Sequence, residues 1–222
     1  MNCGGLRLTK IKICGLKRVE DIIAANKHMP DYIGFVFAKS RRQVAYGQAA
    51  ELKSKLDLNI KAVGVFVDEP IVSVLKLAEQ HVIDVIQLHG DENAEYIDIL
   101  KNNTACPIIK AVAVQTAQDI IKAEKLPCDM LLLDAFSEQQ KGGSGKSFDI
   151  SLIPPLSKPY FLAGGLNLQN IQQKILQCRP YGVDISSGVE TDGVKDEQKI
   201  KQLIEAVNNL SGKKEQYAGQ IW

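Results

Sequence analysis

Two side chains in this sequence have the chemistry of an acid–base pair. Cys14 ends the apolar, β-rich run Leu8–Cys14 and is followed at once by Gly15. Asp134 ends a second such run, Met130–Asp134, directly after Leu131, Leu132 and Leu133. A carboxyl group in apolar surroundings is disfavoured as an anion and can hold its proton near neutral pH, as a general acid must. A thiolate can accept a proton where positive charge or helix dipoles draw its pKa down. The plainer readings stay open, because free cysteine is among the most buried and inert residue types and a strand-end aspartate often caps a loop.

Glycine and serine collect in three later stretches: Gly143-Ser144-Gly145, Gly164-Gly165 and Ser186-Ser187-Gly188. Glycine lets backbone N–H groups converge on an anion, and a following helix N-terminus favours negative charge. One such turn means little; three in successive loops point to a phosphate. Arg42, flanked by Lys39 and Arg41, is either part of a solvated basic turn or a planar clamp for a carboxylate or phosphate. Asp184 alternates with Val183 and Ile185, which turns it towards Ser186 and a sugar's hydroxyl groups. Gln87 and His89 end another apolar run and join as candidate substrate contacts, although His89 can equally be a satisfied loop histidine.

The elements that must carry these residues form a regular series. Leu8–Cys14, Tyr32–Phe37, Ala62–Val67, Val82–Leu88, Ile108–Val114, Met130–Asp134, Tyr160–Ala163 and Gly182–Ile185 read as strands apolar on both faces. Between them, Val19–Asn26, Gln48–Leu56, Ile71–Glu79, Asn93–Lys101, Ala117–Glu124, Leu168–Leu176 and Glu197–Val207 carry helical periodicity. The crossover at Phe148–Leu156 contains Pro154 and Pro155 and must be short or broken. Strand then helix, repeated, predicts an α/β fold: a single (β/α)8 barrel with a closed eight-stranded parallel sheet, with an open doubly wound sheet as the alternative. Active sites of such barrels lie at the C-terminal ends of the strands, where every candidate above falls. One domain over residues 1–222 is expected, with 211–222 a flexible tail carrying Trp222.

Composition narrows the partners. The 222-residue chain has 27 Lys and Arg against 26 Asp and Glu, scattered along its length, which gives no basic face for nucleic acid or a membrane surface. No apolar run approaches the roughly 20 residues that span a bilayer. Five widely spaced cysteines without a C-x-x-C suit free thiols in a reducing cytoplasm, and His28, His81 and His89 have no metal-ligand spacing. The expectation is a cytoplasmic monomer acting on a small molecule, with no metal or cofactor.

Several stretches, taken in order, resemble the phosphoribosylanthranilate isomerase family of tryptophan biosynthesis. They are Lys12-Ile-Cys-Gly15, Gly34-Phe-Val-Phe37 with Ser40 and Arg42, Val63-Gly-Val-Phe-Val67 and Gln87-Leu-His-Gly90. Leu132-Leu-Asp134, Gly142 to Asp149, Leu162-Ala-Gly-Gly-Leu166 and Val183 to Glu190 follow, covering nearly the whole chain. Lys17 and Ile150 depart from the pattern, standing where a threonine and an aromatic residue are frequent. The resemblance implies that Cys14 is the general base, that Asp134 is the general acid, and that Arg42 meets the anthranilate end of the substrate. It further implies that the loops after the last three strands hold the phosphate of a phosphosugar. A related aminoaldose isomerase of the histidine pathway and a non-catalytic phospholigand-binding barrel are the rival readings.

Overall fold

The structure, a computed structural model, describes residues 9–135 and 149–218. Eight parallel strands close into a barrel in chain order: β1 (Lys10–Cys14), β2 (Tyr32–Val36), β3 (Lys61–Phe66), β4 (Val85–Leu88), β5 (Ile108–Val114), β6 (Met130–Ala135), β7 (Tyr160–Leu162) and β8 (Gly182–Ile185). Closure is made by β1 pairing with β8, with Lys12 beside Asp184 and Ile13 beside Ile185. The helices are α1 (Val19–His28), α2 (Tyr46–Ser54), α3 (Ile71–Glu79), α4 (Ala94–Asn103), α5 (Ala117–Glu124), α6 (Ile171–Cys178) and α7 (Glu197–Ala218). A small hairpin, β9 (Glu190–Thr191) and β10 (Val194–Lys195), follows β8. Gly143, Ser144 and Gly145 lie outside the described residues, as does Trp222.

Alternation along each strand divides two apolar layers. One set faces the helices: Ile11, Ile13, Ile33, Phe35, Ile86, Leu88, Leu131 and Leu133 pack with Leu77, Leu100, Ile120 and Leu203 from the helices. The other set fills the barrel interior, where Val63, Val85, Ile109, Leu132 and Phe161 form a separate plug closed below by Tyr32 and Tyr181. Each such side chain contributes about 1.5–3 kcal/mol by leaving water. The plug makes the interior solid beneath the site, so polar groups inside the barrel have to gather above it.

Most elements fall within a residue or two of the periodicity. The fourth strand begins at Val85 instead of Val82, because Val82 N–H closes on Leu77 O and His81 takes a left-handed φ of 55°, so Val82 and Ile83 belong to the turn that follows α3. Helix α6 begins at Ile171 instead of Leu168: Asn170 Oδ1 accepts the Asn167 N–H at 3.0 Å, a local bond that competes with the first helical turn. The proline-bearing crossover holds one 3-10 turn, Ile150–Leu152. The last helix continues past Leu210 to Ala218.

Candidate active site

The strand period of two governs the site. Leu132 belongs to the interior plug, so Asp134 faces inward above it; Lys12 and Cys14 share the inward face of β1 in the same way. Asp134 is 8 % exposed, and its Oδ1 accepts the N–H of Ala135 at 2.8 Å. That bond leaves Oδ2 as the oxygen able to carry a proton. Burial, aided by the charge of Asp184, pushes the Asp134 carboxyl up to about 6. Gly164 lies against it: at φ 81° it takes a conformation other residues avoid, and a Cβ there would meet Ala135 N at 2.7 Å and Asp134 Oδ1 at 3.0 Å.

Gln87 and His89 converge on the same carboxyl. The Gln87 side-chain amide donates to His89 Nδ1 at 3.0 Å, so the neutral ring carries its proton on Nε2, which stands 3.7 Å from Asp134 Oδ2. Burial draws His89 down to about 4, which keeps the ring neutral. Gln87 is 1 % exposed, and its Oε1 has no hydrogen-bond partner among the described residues, leaving a buried acceptor for a ligand hydroxyl or water.

On the opposite side, Cys14 is buried at the end of β1. Burial raises its pKa, and the positive charge of the nearby Lys12 ammonium opposes that rise without cancelling it. The positive charge the sequence reading asked for is therefore present, but desolvation outweighs it. Lys12 was missed as a site residue although a signal existed: a lysine between Ile11 and Ile13 in a doubly buried strand requires a counter-ion. That partner is Asp184, whose Oδ1 accepts from Lys12 Nζ at 2.8 Å.

Arg42 is committed to a residue that the motif contained but to which the sequence reading gave no role. Its Nε and Nη2 donate to the two carboxylate oxygens of Glu190 at 2.7 and 2.9 Å. Lys195 Nζ donates to the same carboxylate at 2.6 Å, and exposed Arg41 at 2.9 Å. Burial alone would raise Glu190; Arg42 and Lys195 overcome it and hold the carboxyl at about 2. Lys17 packs alongside, donating to Arg41 O at 2.9 Å.

The glycine- and serine-bearing loops meet at the same rim. Ser186 Oγ donates to Cys14 O at 3.0 Å, tying the end of β8 to the end of β1, and Lys195 Nζ donates to Ser186 O at 2.9 Å. Gly165 O accepts from the Asn170 side-chain amide at 2.9 Å. Ser187, Gly188 and Val189 form a 3-10 turn pressed on the preceding loop. A Cβ on Gly188 would lie 2.0 Å from Leu166 O, so Gly188→Ala is expected to cost about 1–3 kcal/mol through forced backbone movement. A urea unfolding curve of the variant checks this, and an unshifted midpoint would contradict it.

At the other end of the barrel a cavity of about 810 Å³ is lined by strand starts, among them Lys61, Val85 and Met130. Its Asp84 is occupied by Lys53 Nζ and the Ala62 N–H, so it offers no comparable acid–base pair. Among the described residues no helix is long and apolar enough to cross a membrane, and no group of three His, Cys, Asp or Glu side chains could hold a metal ion.

The comparison with known proteins follows the same outline. The family model for N-(5'-phosphoribosyl)anthranilate (PRA) isomerase matches residues 11–206. The N-(5'-phosphoribosyl)anthranilate isomerase of Clostridium acetobutylicum is 47 % identical over 207 residues, which covers 91 % of this chain and all of the relative. The crystal structure of phosphoribosyl anthranilate isomerase from Thermotoga maritima superposes with a TM-score of 0.82 at 33 % identity, covering 90 % of this chain and 99 % of that one. A further crystal structure of the isomerase, in complex with reduced 1-(o-carboxyphenylamino)-1-deoxyribulose 5-phosphate, gives a TM-score of 0.77 at 31 % identity over 90 % of this chain and 99 % of that one. A barrel of this order, with its polar groups gathered at one rim and this likeness along nearly its whole length, belongs to the N-(5'-phosphoribosyl)anthranilate isomerase family.

Proposed function

We propose that this chain converts N-(5'-phosphoribosyl)anthranilate to 1-(o-carboxyphenylamino)-1-deoxyribulose 5-phosphate, an Amadori rearrangement in tryptophan biosynthesis, with Asp134 as general acid and Cys14 as general base. The carrying observation is the juxtaposition of two unlike ionisable groups, both inward-facing, at the ends of β6 and β1. Only β7 and β8 lie between those strands in the closed sheet. The relative crystallised with a reduced aminodeoxyribulose phosphate supports a substrate of the same class.

The steps follow from that placement. A phosphate held by the loops after β7 and β8 projects the ribose between Asp134 and Cys14. The loop carrying Gly143–Gly145 is the third contributor expected from the sequence. Asp134 gives its proton to the furanose ring oxygen, the C1–O bond breaks, and the anilino nitrogen's lone pair forms the C1=N bond of a Schiff base. Cys14 as thiolate then takes the proton from C2, and the electron pair moves through C1 to nitrogen, giving the enolamine. Tautomerisation of the enolamine yields the ketone, so proton count is conserved without an external oxidant or reductant. In this reading Gln87 Oε1 and Asp184 accept from the ribose hydroxyls, and Arg42 binds the anthranilate carboxylate.

The test is an assay of the purified protein on both aminoaldoses, the anthranilate compound and its histidine-pathway counterpart. Loss of anthranilate-substrate fluorescence on turnover is expected. Turnover of only the histidine-pathway compound would overturn the assignment, and binding of product without turnover would make the barrel a phospholigand binder.

A further inference from the structure

Lys12 is a costly residue to keep inside a barrel. Its side chain is 0 % exposed, and an ammonium taken from water loses several kcal/mol that one ion pair does not reliably restore. An apolar residue would fill the same space at no such cost, so stability does not explain a lysine there. Its surroundings do suggest a use. Lys12 and Cys14 lie two residues apart on the inward face of β1, so the ammonium's charge acts on the sulfur while its Nζ donates to Asp184 Oδ1, 2.8 Å away on β8. Asp184 is opposite Lys12 in the strand register, and that pairing exists only because β8 closes on β1.

We propose that Lys12 is a positioning residue for the thiol of Cys14, its ammonium shared between that sulfur and Asp184, so that Asp184 sets how much of the positive charge the sulfur feels. The proposal deepens the reading of Cys14 as the base and rests on it. Two anions competing for one buried ammonium form a coupled unit: engaging one weakens the hold on the other. A ribose hydroxyl donated to Asp184 would relax its grip on Lys12 and leave more of the ammonium to the thiolate. A larger share of Cys14 would then stand as thiolate when substrate is in place.

Other charges near the sulfur are few among the described residues. From β8 comes Asp184, which raises the thiol's pKa, and from β10 comes Lys195, which lowers it. On the β2 side the register partner of Cys14 is Gly34, which brings no charge. Burial lowers Lys12 itself, but Asp184 and Cys14 together raise it above its ordinary value, so the ammonium stays charged through the working range.

The test follows alkylation of Cys14 against pH, read on the Cys14 peptide by mass spectrometry in the full-length protein without substrate. Lys12→Met removes the charge at similar volume and is expected to move the midpoint of Cys14 alkylation up by about one pH unit or more, the scale of a nearby opposite charge. Asp184→Asn leaves the ammonium to the sulfur and is expected to move it down. The kcat/KM profile of Lys12→Met should show its thiol limb displaced in the same direction, whereas a purely structural lysine would lower the melting temperature and leave both midpoints in place. Unchanged midpoints in the two variants overturn the proposal. Should Lys12→Met fail to fold, Asp184→Asn decides alone: an unmoved or raised midpoint refutes it. If Cys14→Ala isomerises at the native rate, the base assignment falls while the alkylation result stands on its own.

Discussion

Asp134→Asn and Cys14→Ala are each expected to lower kcat/KM by about 100- to 10,000-fold, the range that a positioned acid or base supplies. Asparagine keeps the shape of Asp134 and can still accept the Ala135 N–H, but it has no proton for the ring oxygen. Alanine at position 14 removes the sulfur without disturbing the Ser186 hydroxyl, which bonds the backbone carbonyl there. Because the two groups act on successive steps of one reaction, the double variant is expected to fall well short of the product of the single losses. A near-native rate in either single variant, measured by fluorescence of the anthranilate substrate, would remove that residue from its role.

The same pair makes a prediction about pH whose assignment is unusual. Asp134 is held at about 6, whereas burial lifts Cys14 above the ordinary thiol value. The productive form pairs a carboxylic acid with a thiolate, so it is the minority arrangement of one shared proton at every pH. Between the two pKa values its share stays constant. Below about 6 it falls as the thiolate is lost while Asp134 is already protonated, and above the thiol value it falls as Asp134 loses its proton with the thiolate already formed. The kcat/KM profile should therefore be a bell whose acid limb, near 6, marks Asp134. In Asp134→Asn the residual activity should lose that limb and rise with pH until Cys14 ionises; retention of a limb near 6 would show that another group titrates there.

How far the sequence carried depends on the range of the interaction. The barrel was legible because its strands are buried on both faces and so are nearly continuous in Ile, Val, Leu and Phe. Asp134 and Cys14 stood out because each ends such a run. Lys12, two residues before Cys14, shares its face of the strand, a signal that went unused. What could not be read is the pairing of side chains brought together by closure: Lys12 with Asp184 depends on the β1–β8 register, and Arg42 with Glu190 on the hairpin after β8. Local errors had local causes. Val82 and Ile83 are as apolar as a strand requires, but the left-handed turn at His81 keeps them in the connection after α3, and the Asn167–Asn170 side-chain bonds delay α6. Ser186 sits at the expected rim, yet only the coordinates reveal that its hydroxyl bridges to Cys14 O.

Glu190→Ala is expected to destabilise the protein by about 3 kcal/mol or more, since it strands charges that the folded chain has already desolvated. The Lys195 side chain is 2 % exposed, and its one carboxylate partner among the described residues is Glu190 Oε1 at 2.6 Å. Arg42 is similarly enclosed and spends Nε and Nη2 on the same group. At this chain length, 3 kcal/mol corresponds to a fall in Tm of about 6–12 °C. Arg41→Ala is the contrast: that arginine is 58 % exposed, and its ion pair with Glu190 should contribute no more than about 1 kcal/mol. The effect on the reaction separates two uses of Glu190. If it holds Arg42 in place for the substrate carboxylate, Glu190→Ala raises KM several-fold with a smaller change in kcat, because a released arginine regains about 2 kcal/mol of side-chain freedom that binding must remove again. If instead it competes with the substrate for the guanidinium fork, KM falls. Positioning should win: three cations surround one carboxylate, so the cluster stays positive with Glu190 in place, and Nη1 of Arg42 makes no bond to it. A lower KM in Glu190→Ala, with the variant still folded at the assay temperature, would reverse that conclusion.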